Sequence, residues 1–283
     1  MTRLLSLIII CLASTMVPGQ GLPEAYFCGK GDHGNKWQLV GPNPAPDMLQ
    51  AVGLLRSVAV DPVDPNILYV GTEHSGLWKT LDGGDHWENI SDTLKVPSLG
   101  FTELSINPDN PAEIVAGTRT RSFSYPHWQD MSKGYGLLFS ADQGRSWSKA
   151  VMREAEEPFQ YIEILKRDPH DPDHLLAAGN RKVWQSHDGG REWELVFENP
   201  TELPAWFIDL EFSLDDPKVI LASTKLHGYG GAKDQGGLRK VPHAAQAFSS
   251  VNGGEKGSWR EVTPPHTQKA ADFAIRLFAA PSV

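Results

Sequence analysis

One eight-residue pattern, Ser/Thr-x-Asp-x-Gly-x-x-Trp, recurs three times without a gap and constrains the fold of this chain more than any other feature. It reads Thr80-Leu-Asp82-Gly-Gly84-Asp-His-Trp87, Ser140-Ala-Asp142-Gln-Gly144-Arg-Ser-Trp147 and Ser186-His-Asp188-Gly-Gly190-Arg-Glu-Trp193. A degenerate fourth copy runs from Ser250 through Asn252 and Gly254 to Trp259, with two extra residues before the Trp. Such recurrence marks a repeat architecture, in which one supersecondary unit is stacked several times.

A second element precedes each copy: an apolar stretch, a turn with Asp-Pro or Asn-Pro, another apolar stretch, then Gly-Thr or similar. Val58 to Thr72 is the cleanest example, with Asp61-Pro and Asp64-Pro in its turn. Leu104 to Thr118, Asp168 to Asn180 and Leu210 to Thr224 repeat it, and Ala271 to Val283 reads as the start of a fifth. Pro cannot continue a central strand, while Gly and Asp supply tight turns. Alternation and β-branched content in the intervening runs favour strands over helices. In the first unit this predicts strands near 56–60, 67–71, 77–80 and 86–90. The expected fold is all-β: a β-propeller of four-stranded blades, with four blades and the start of a fifth present.

The octapeptide has a complete structural explanation in the turn between the third and fourth strands. Its Asp accepts backbone N–H groups of the turn, and its Ser/Thr hydroxyl ties the turn back to that carboxylate. Its Gly takes a backbone angle that a Cβ resists, and its Trp buries a large ring between neighbouring blades. Thr80, Asp82, Gly84, Trp87, Ser140, Asp142, Gly144, Trp147, Ser186, Asp188, Gly190 and Trp193 are therefore expected to be structural, not catalytic.

The three octapeptides match the Asp-box, or BNR, repeat. On them, and on Trp37-Gln-Leu-Val-Gly-Pro, Arg56-Ser-Val-Ala-Val-Asp-Pro, Ile67-Leu-Tyr-Val-Gly-Thr and Gly76-Leu-Trp-Lys-Thr, the chain resembles the secreted BNR-repeat propellers. These are related to the sortilin N-terminal domain, the photosystem II assembly-factor-like domain and the xyloglucan-degrading hydrolases. The resemblance covers roughly residues 37–283. It implies the fold more than an activity, because one blade type serves enzymes, receptors and assembly factors. A propeller closes its ring to remove free edges. Such relatives carry more blades, so the chain is expected to be the N-terminal part of a longer protein; the alternative is closure by self-association.

Ligands of propellers usually meet the face opposite the octapeptide turns, built from the loops between second and third strands. Two of these loops are long. One carries Arg119, Arg121, Tyr125, His127 and Trp128, and the other carries His227 and Tyr229. Aromatic rings beside polar donors on a rigid scaffold suit sugars or peptides. The other reading is that these loops pack on each other or on further blades. Acidic residues recur at similar places on the expected inner strands, at Glu103, Glu163 and Asp209, with Ser57 at the equivalent place in the first blade. A carboxylate pair there is what glycoside hydrolysis requires, whereas a hydrated channel lining or ion pairs to Arg is the simpler reading.

The resemblance adds Glu73, in Gly-Thr-Glu-His-Ser-Gly, which stands where the xyloglucan-degrading relatives carry a catalytic Asp after an Arg-Thr pair; residue type and flanks differ here. Glu73, Glu103 and Asp209 are thus the catalytic candidates. The sialidase branch needs three Arg, a Tyr with its Glu, and an Asp, and that set cannot be assembled from this chain.

Other chemistry is disfavoured. The net charge of −9, from 35 acidic and 26 basic side chains, is the reverse of a nucleic-acid-binding balance. Two cysteines exclude a disulfide scaffold. No metal or cofactor is expected: His170 and His174 flank an Asp-Pro turn instead of riding one helix face, and Gly83-Gly84 and Gly230-Gly231 lack a strand–loop–helix context. At the N-terminus, Arg3 precedes an apolar run over 4–13, and Val17 and Gly19 suit a cleavage site. This reads as a signal peptide over 1–19, with the propeller over 20–283, and Cys28 left in the mature chain. The run is too short for a stable membrane span. The expected function is an exported module that binds or assembles with a protein or glycan ligand. The alternative is a glycoside hydrolase acting on a polysaccharide, xyloglucanase-like sooner than sialidase-like.

Overall fold

The computed structural model describes residues 54–264, apart from 74, 95–98, 121–134, 155–161, 202–204, 227–232, 235–236 and 239–244. Blade 1 is β1 (Leu55–Val60), β2 (Leu68–Thr72), β3 (Leu77–Thr80) and β4 (Glu88–Asn89), hydrogen-bonded in that order. A 3-10 turn, Asp92–Leu94, leads out of it. Blade 2 is β5 (Leu99–Ile106), β6 (Ile114–Thr120), β7 (Leu137–Ser140) and β8 (Ser148–Lys149). The chain then forms β9 (Val151–Met152) and blade 3: β10 (Ile162–Arg167), β11 (Leu175–Gly179), β12 (Lys182–Ser186) and β13 (Glu192–Glu198). Blade 4 is β14 (Ala205–Phe212), β15 (Ile220–Leu226), β18 (Gln246–Ser250) and β19 (Trp259–Glu261), with the small hairpin β16 (Lys233–Asp234) and β17 (Gly237–Leu238) between β15 and β18.

Within each blade the strands are antiparallel. The exception is β9, which pairs in parallel with the outer strand of the following blade, Glu192 opposite Val151 and Trp193 opposite Met152. The segment leaving blade 2 is thereby strapped to blade 3. The expected signal peptide over 1–19, Cys28 and the expected fifth blade start at 271–283 lie outside the described residues.

Two side-chain devices repeat from blade to blade. At the β1–β2 turn, Asp61 Oδ1 accepts the N–H groups of Val63 and Asp64 at 2.8 and 3.0 Å. Asn107 does the same for Asp109 N, Asp168 for His170 N and Ser213 Oγ for Asp216 N. At the octapeptide, the Thr80, Ser140 and Ser186 hydroxyls donate to Asp82, Asp142 and Asp188 at 2.7, 2.8 and 2.7 Å. The same hydroxyls accept the N–H of Gly84, Gly144 and Gly190 at 3.0, 2.8 and 3.0 Å. Each carboxylate closes the turn by accepting a backbone N–H four residues on, from His86, Ser146 or Glu192. Trp87, Trp193 and Trp259 donate Nε1–H to the carbonyls of Gly84, Gly190 and Gly254 at 3.0, 2.9 and 2.8 Å. Trp147 lacks that bond.

The cores lie between the blades. Leu77 and Ile90 of blade 1 join Phe101, Ala116, Leu138 and Trp147 of blade 2. Val115, Leu137 and Phe139 of blade 2 join Ile162, Leu175, Trp184 and Trp193 of blade 3. Ile164, Leu176 and Val196 of blade 3 join Phe207, Leu210, Ile220 and Phe248 of blade 4, with Trp259 stacked on Phe197 at 5.5 Å. Each octapeptide Trp after the first therefore packs backward, toward the preceding blade. The first strands are successive neighbours: β1 packs on β5, β5 on β10 and β10 on β14.

Candidate functional site

Each first strand carries a β-bulge at the same height, between Leu55 and Ser57, Phe101 and Glu103, Ile162 and Ile164, and Phe207 and Asp209. One extra residue per strand bends the edge and re-aims a side chain. The bulged residues are Arg56, Thr102, Glu163 and Ile208. The register makes Ser57, Glu103, Ile164 and Asp209 equivalent, opposite Gly71, Gly117, Ala178 and Ser223. Glu163 is thus one residue out of phase with Glu103 and Asp209, contrary to the alignment expected from sequence: it occupies the bulge position itself, which Thr102 and Ile208 hold in blades 2 and 4.

That shift lets Glu163 meet Arg56 across blade 2. Arg56 donates from a terminal guanidinium nitrogen to Glu163 Oε1 at 2.6 Å, and its Nε lies 3.9 Å from Glu73 Oε2. Arg119, at the end of β6, lies 3.7 Å from Glu73 Oε1 and 3.7 Å from Glu163 Oε2. The four side chains form a closed ring of alternating charge, with Arg56 and Glu73 from blade 1, Arg119 from blade 2 and Glu163 from blade 3. Glu73 is 3 % exposed and follows directly on β2, held there by its N–H bond to the Leu54 carbonyl at 2.8 Å. Thr72 beside it bonds the Gly76 carbonyl, and Thr118 beside Arg119 bonds the Gly136 carbonyl, each at 2.8 Å. The same local scaffold thus presents a carboxylate in blade 1 and a guanidinium in blade 2.

Glu103 lies half-buried on β5 beside this ring. Burial pushes its carboxyl up to about 7; Lys166 and Arg56 oppose that rise, and Glu163 and Glu211 add to it. Lys166 on β10 pairs with Glu211 on β14 at 3.2 Å. Asp209 is partly buried, and its Oδ1 accepts the Leu210 N–H at 3.2 Å. The first strands therefore present a mixed lining of paired charges, with one carboxyl that exchanges its proton near neutrality.

The structure brings together Glu73 and Arg119 from the expected set and adds Arg56 and Glu163 to them, with Glu103 alongside. Asp209 sits on blade 4, outside the ring of four. Arg121, Tyr125, His127, Trp128, His227 and Tyr229 lie outside the described residues. The octapeptide carboxylates are engaged in their own turns. Asp82 is held below the usual carboxylate range by the His86 N–H, then by the Thr80 hydroxyl and the His86 ring. Asp142 is held down chiefly by the Ser146 hydroxyl and N–H. Burial works against the ionised form of Asp188, but the Glu192 N–H and the Ser186 hydroxyl outweigh it. His170 and His174 have separate partners, the Ser213 carbonyl at 3.2 Å and Asp168 Oδ2 at 2.8 Å. Among the described residues no three His, Cys, Asp or Glu are grouped to hold a metal ion. Sequence reasoning passed over Arg56, Lys166 and Glu211, although aligning the first strands on their bulges would have singled out Arg56.

No family model matches the chain. Among solved structures it is similar to an ancestral GH74 enzyme, with a TM-score of 0.55 and 20% identity, over 74% of this chain and 25% of that one. It is also similar to the GH74 enzyme of Niastella koreensis, with a TM-score of 0.52 and 19% identity, over 73% of this chain and 29% of that one. This is a β-propeller. In sequence, the propeller is 27% identical to the mouse VPS10 domain-containing receptor SorCS3 over 128 residues, 45% of this chain and 9% of the receptor. It is 25% identical to xyloglucanase Xgh74A of Acetivibrio thermocellus over 186 residues, 53% of this chain and 20% of that enzyme. The propeller therefore spans between about a tenth and a fifth of the length of these curated relatives. Its relatives thus include both a receptor and an enzyme.

Proposed function

We propose that this propeller is an exported module that binds a protein or glycan ligand on the face carrying Glu73 and Arg119. The observation that carries this reading is the closed ring of Arg56, Glu73, Arg119 and Glu163. Its two acidic groups are each faced by two guanidinium groups, so they are spent on one another and hold three blades at fixed spacing. A rigid, charge-balanced platform suits recognition, because little has to be reorganised when a ligand arrives. Export rests on the N-terminal pattern of Arg3 and the apolar run that follows.

A second reading is favoured by Glu103. A carboxyl near 7 beside an ionisable partner is the arrangement a glycosidic acid needs, and similarity to xyloglucanases supports it. One experiment separates the two. The chain is titrated calorimetrically against xyloglucan oligosaccharides and other polysaccharide fragments, and the same mixtures are assayed for new reducing ends. Binding without new reducing ends supports the module. Turnover that Glu103→Gln abolishes supports the hydrolase, and loss of turnover in Glu73→Gln but not in Glu103→Gln moves the acid to Glu73.

A further inference from the structure

The octapeptide turn of each later blade sits on a pair of cross-strand partners in the second and third strands of the blade before it. Tyr69 and Lys79 form the first seat, and their Oη and Nζ both donate to the Gln143 carbonyl, at 3.4 and 3.1 Å. Val115 and Phe139 form the second. Gly190 lies directly on Val115, and the Arg191 guanidinium stands 4.5 Å over the Phe139 ring. Leu176 and Gln185 form the third. A Cβ on Gly254 would lie 3.4 Å from Leu176 Cδ2, and Gln185 Nε2 donates to the Gly253 carbonyl at 2.7 Å. Behind this third seat stands a histidine. His174 takes the place that Ile67, Glu113 and Val219 hold in the other blades, each bonding through its carbonyl to the N–H that opens its turn.

Asp168 Oδ2 faces His174 Nδ1 at 2.8 Å, and Gln185 Nε2 faces His174 Nε2 at 2.7 Å. All three residues are buried. Their contacts fix every proton in the chain. The Gly253 carbonyl can only accept, so the Gln185 amide turns its NH2 group toward it. The same nitrogen gives its second hydrogen to His174 Nε2, which must therefore be bare. The His174 proton then sits on Nδ1, where it bonds Asp168, and the ring is neutral. A proton arriving at Nε2 sets N–H against N–H. Turning the amide over relieves that clash but points its oxygen at the Gly253 carbonyl. The bond between the blades is lost either way.

We propose that His174 is an acid-sensitive latch between blades 3 and 4, which holds Gln185 on the Gly253 carbonyl when neutral and releases the octapeptide turn of blade 4 when protonated at Nε2. The groups around it fit this role. His187 stacks on His174 with centroids 4.7 Å apart and planes at 13°, and its Nε2 lies 3.6 Å from Glu255 in the blade 4 turn. A charge on His187 is met by Glu255 and leaves the turn seated, whereas a further charge on His174 stacks cation on cation. Phe212 of β14 meets His174 edge-on at 5.2 Å and offers no charge. Asp171 and Asp173 in the turn before His174 accept the His174 and Gly189 N–H groups through their backbone carbonyls. Beside Gln185 and His187 lies a cavity of about 270 Å³, whose other lining residues are Arg153, Asp188, Glu192, Glu194 and Glu255. His170 is the contrast: its Nε2 meets the Ser213 carbonyl at 3.2 Å, and a carbonyl accepts from a neutral and a charged ring alike.

Nitrogen NMR of the histidine rings in the full chain tests the first half. At about pH 7.5 His174 is expected to show a bare Nε2 and a protonated Nδ1. Hydrogen exchange of the Gly253 and Gly254 amides, corrected for the intrinsic effect of pH, tests the second half. Protection there is expected to fall on the order of tenfold between about pH 7.5 and about pH 5.5, as loss of one hydrogen bond would give, in step with proton uptake at Nε2. A local readout is needed because Glu103 moves global stability in the opposite sense. His174→Gln is expected to remove the step, and His170→Asn to keep it. Gln185→Glu, which cannot donate to the Gly253 carbonyl, is expected to leave the segment open at both pH values. A proton on Nε2 at about pH 7.5 overturns the proposal, and that measurement needs no variant to fold. A step that survives His174→Gln overturns it too, as does protection that stays unchanged while Nε2 takes up its proton.

Discussion

Arg56 and Glu163 stand 107 residues apart in the chain and 2.6 Å apart in space, reaching over the inner edge of blade 2 from the blades on either side. Neither touches the other through any local element, so their bond reports directly on how three blades are spaced.

Removing one partner of that pair leaves the other facing an incomplete ring. Glu163→Gln is expected to destabilise the fold by about 1.5–3 kcal/mol, the range for a hydrogen bond to a charged group. Urea unfolding measures it, and a double-mutant cycle with Arg56→Gln is expected to give less than the sum of the two single effects. Additive losses would mean that the pair is not coupled.

Glu103 sets a pH dependence of stability. Its carboxyl is about 7 in the fold against an ordinary 4.5, so the folded state holds a proton that the unfolded state has released over that window. Stability is therefore expected to fall as pH rises from about 4.5 to 7. Glu103→Gln is expected to flatten that slope, as read from thermal midpoints at a series of pH values.

The octapeptide carboxylates set the opposite limb. Asp142 is held below its ordinary 3.8, so its contribution is present above that value and is lost as pH falls below it. Asp142→Asn is expected to weaken the acid sensitivity of unfolding while leaving any ligand titration unchanged. A loss of ligand binding at constant stability would place Asp142 in a site.

Gly190 and Gly253 separate two costs of a side chain. Both have positive φ, 102° and 63°, but a Cβ at Gly190 collides with Val115, and one at Gly253 has nothing within 4 Å. Gly190→Ala is expected to cost about 2–4 kcal/mol, strain plus overpacking, and Gly253→Ala about 1 kcal/mol. Equal losses in thermal unfolding would mean that the interface yields at Val115.

The repeat was legible because its determinants are local. Ser/Thr, Asp, Gly and Trp in one octapeptide make their hydrogen bonds inside one turn, and Asp61 or Asp168 closes its own hairpin, so spacing along the chain suffices to read them. The inner face was less legible. A bulge has no sequence signature, and Glu163 occupies the bulge position that Thr102 holds in blade 2, one residue out of phase with Glu103. The ring of Arg56, Glu73, Arg119 and Glu163 joins residues from three blades, and no periodicity announces which charges will meet. The parallel pairing of Val151 and Met152 with β13 also escaped detection, since two residues carry no pattern of their own.

Each octapeptide turn roofs the blade before it, never the blade after. Support in the array therefore has a direction. Blade 3 is sealed by residues that belong to blade 4, blade 2 by residues of blade 3, and blade 1 by residues of blade 2. Loss of blade 4 would strip the roof from Leu176 and Gln185, and that exposure would then loosen the part of the chain that shields Val115. In an array governed by nearest neighbours, the loss of one roof is handed on to the blade before it.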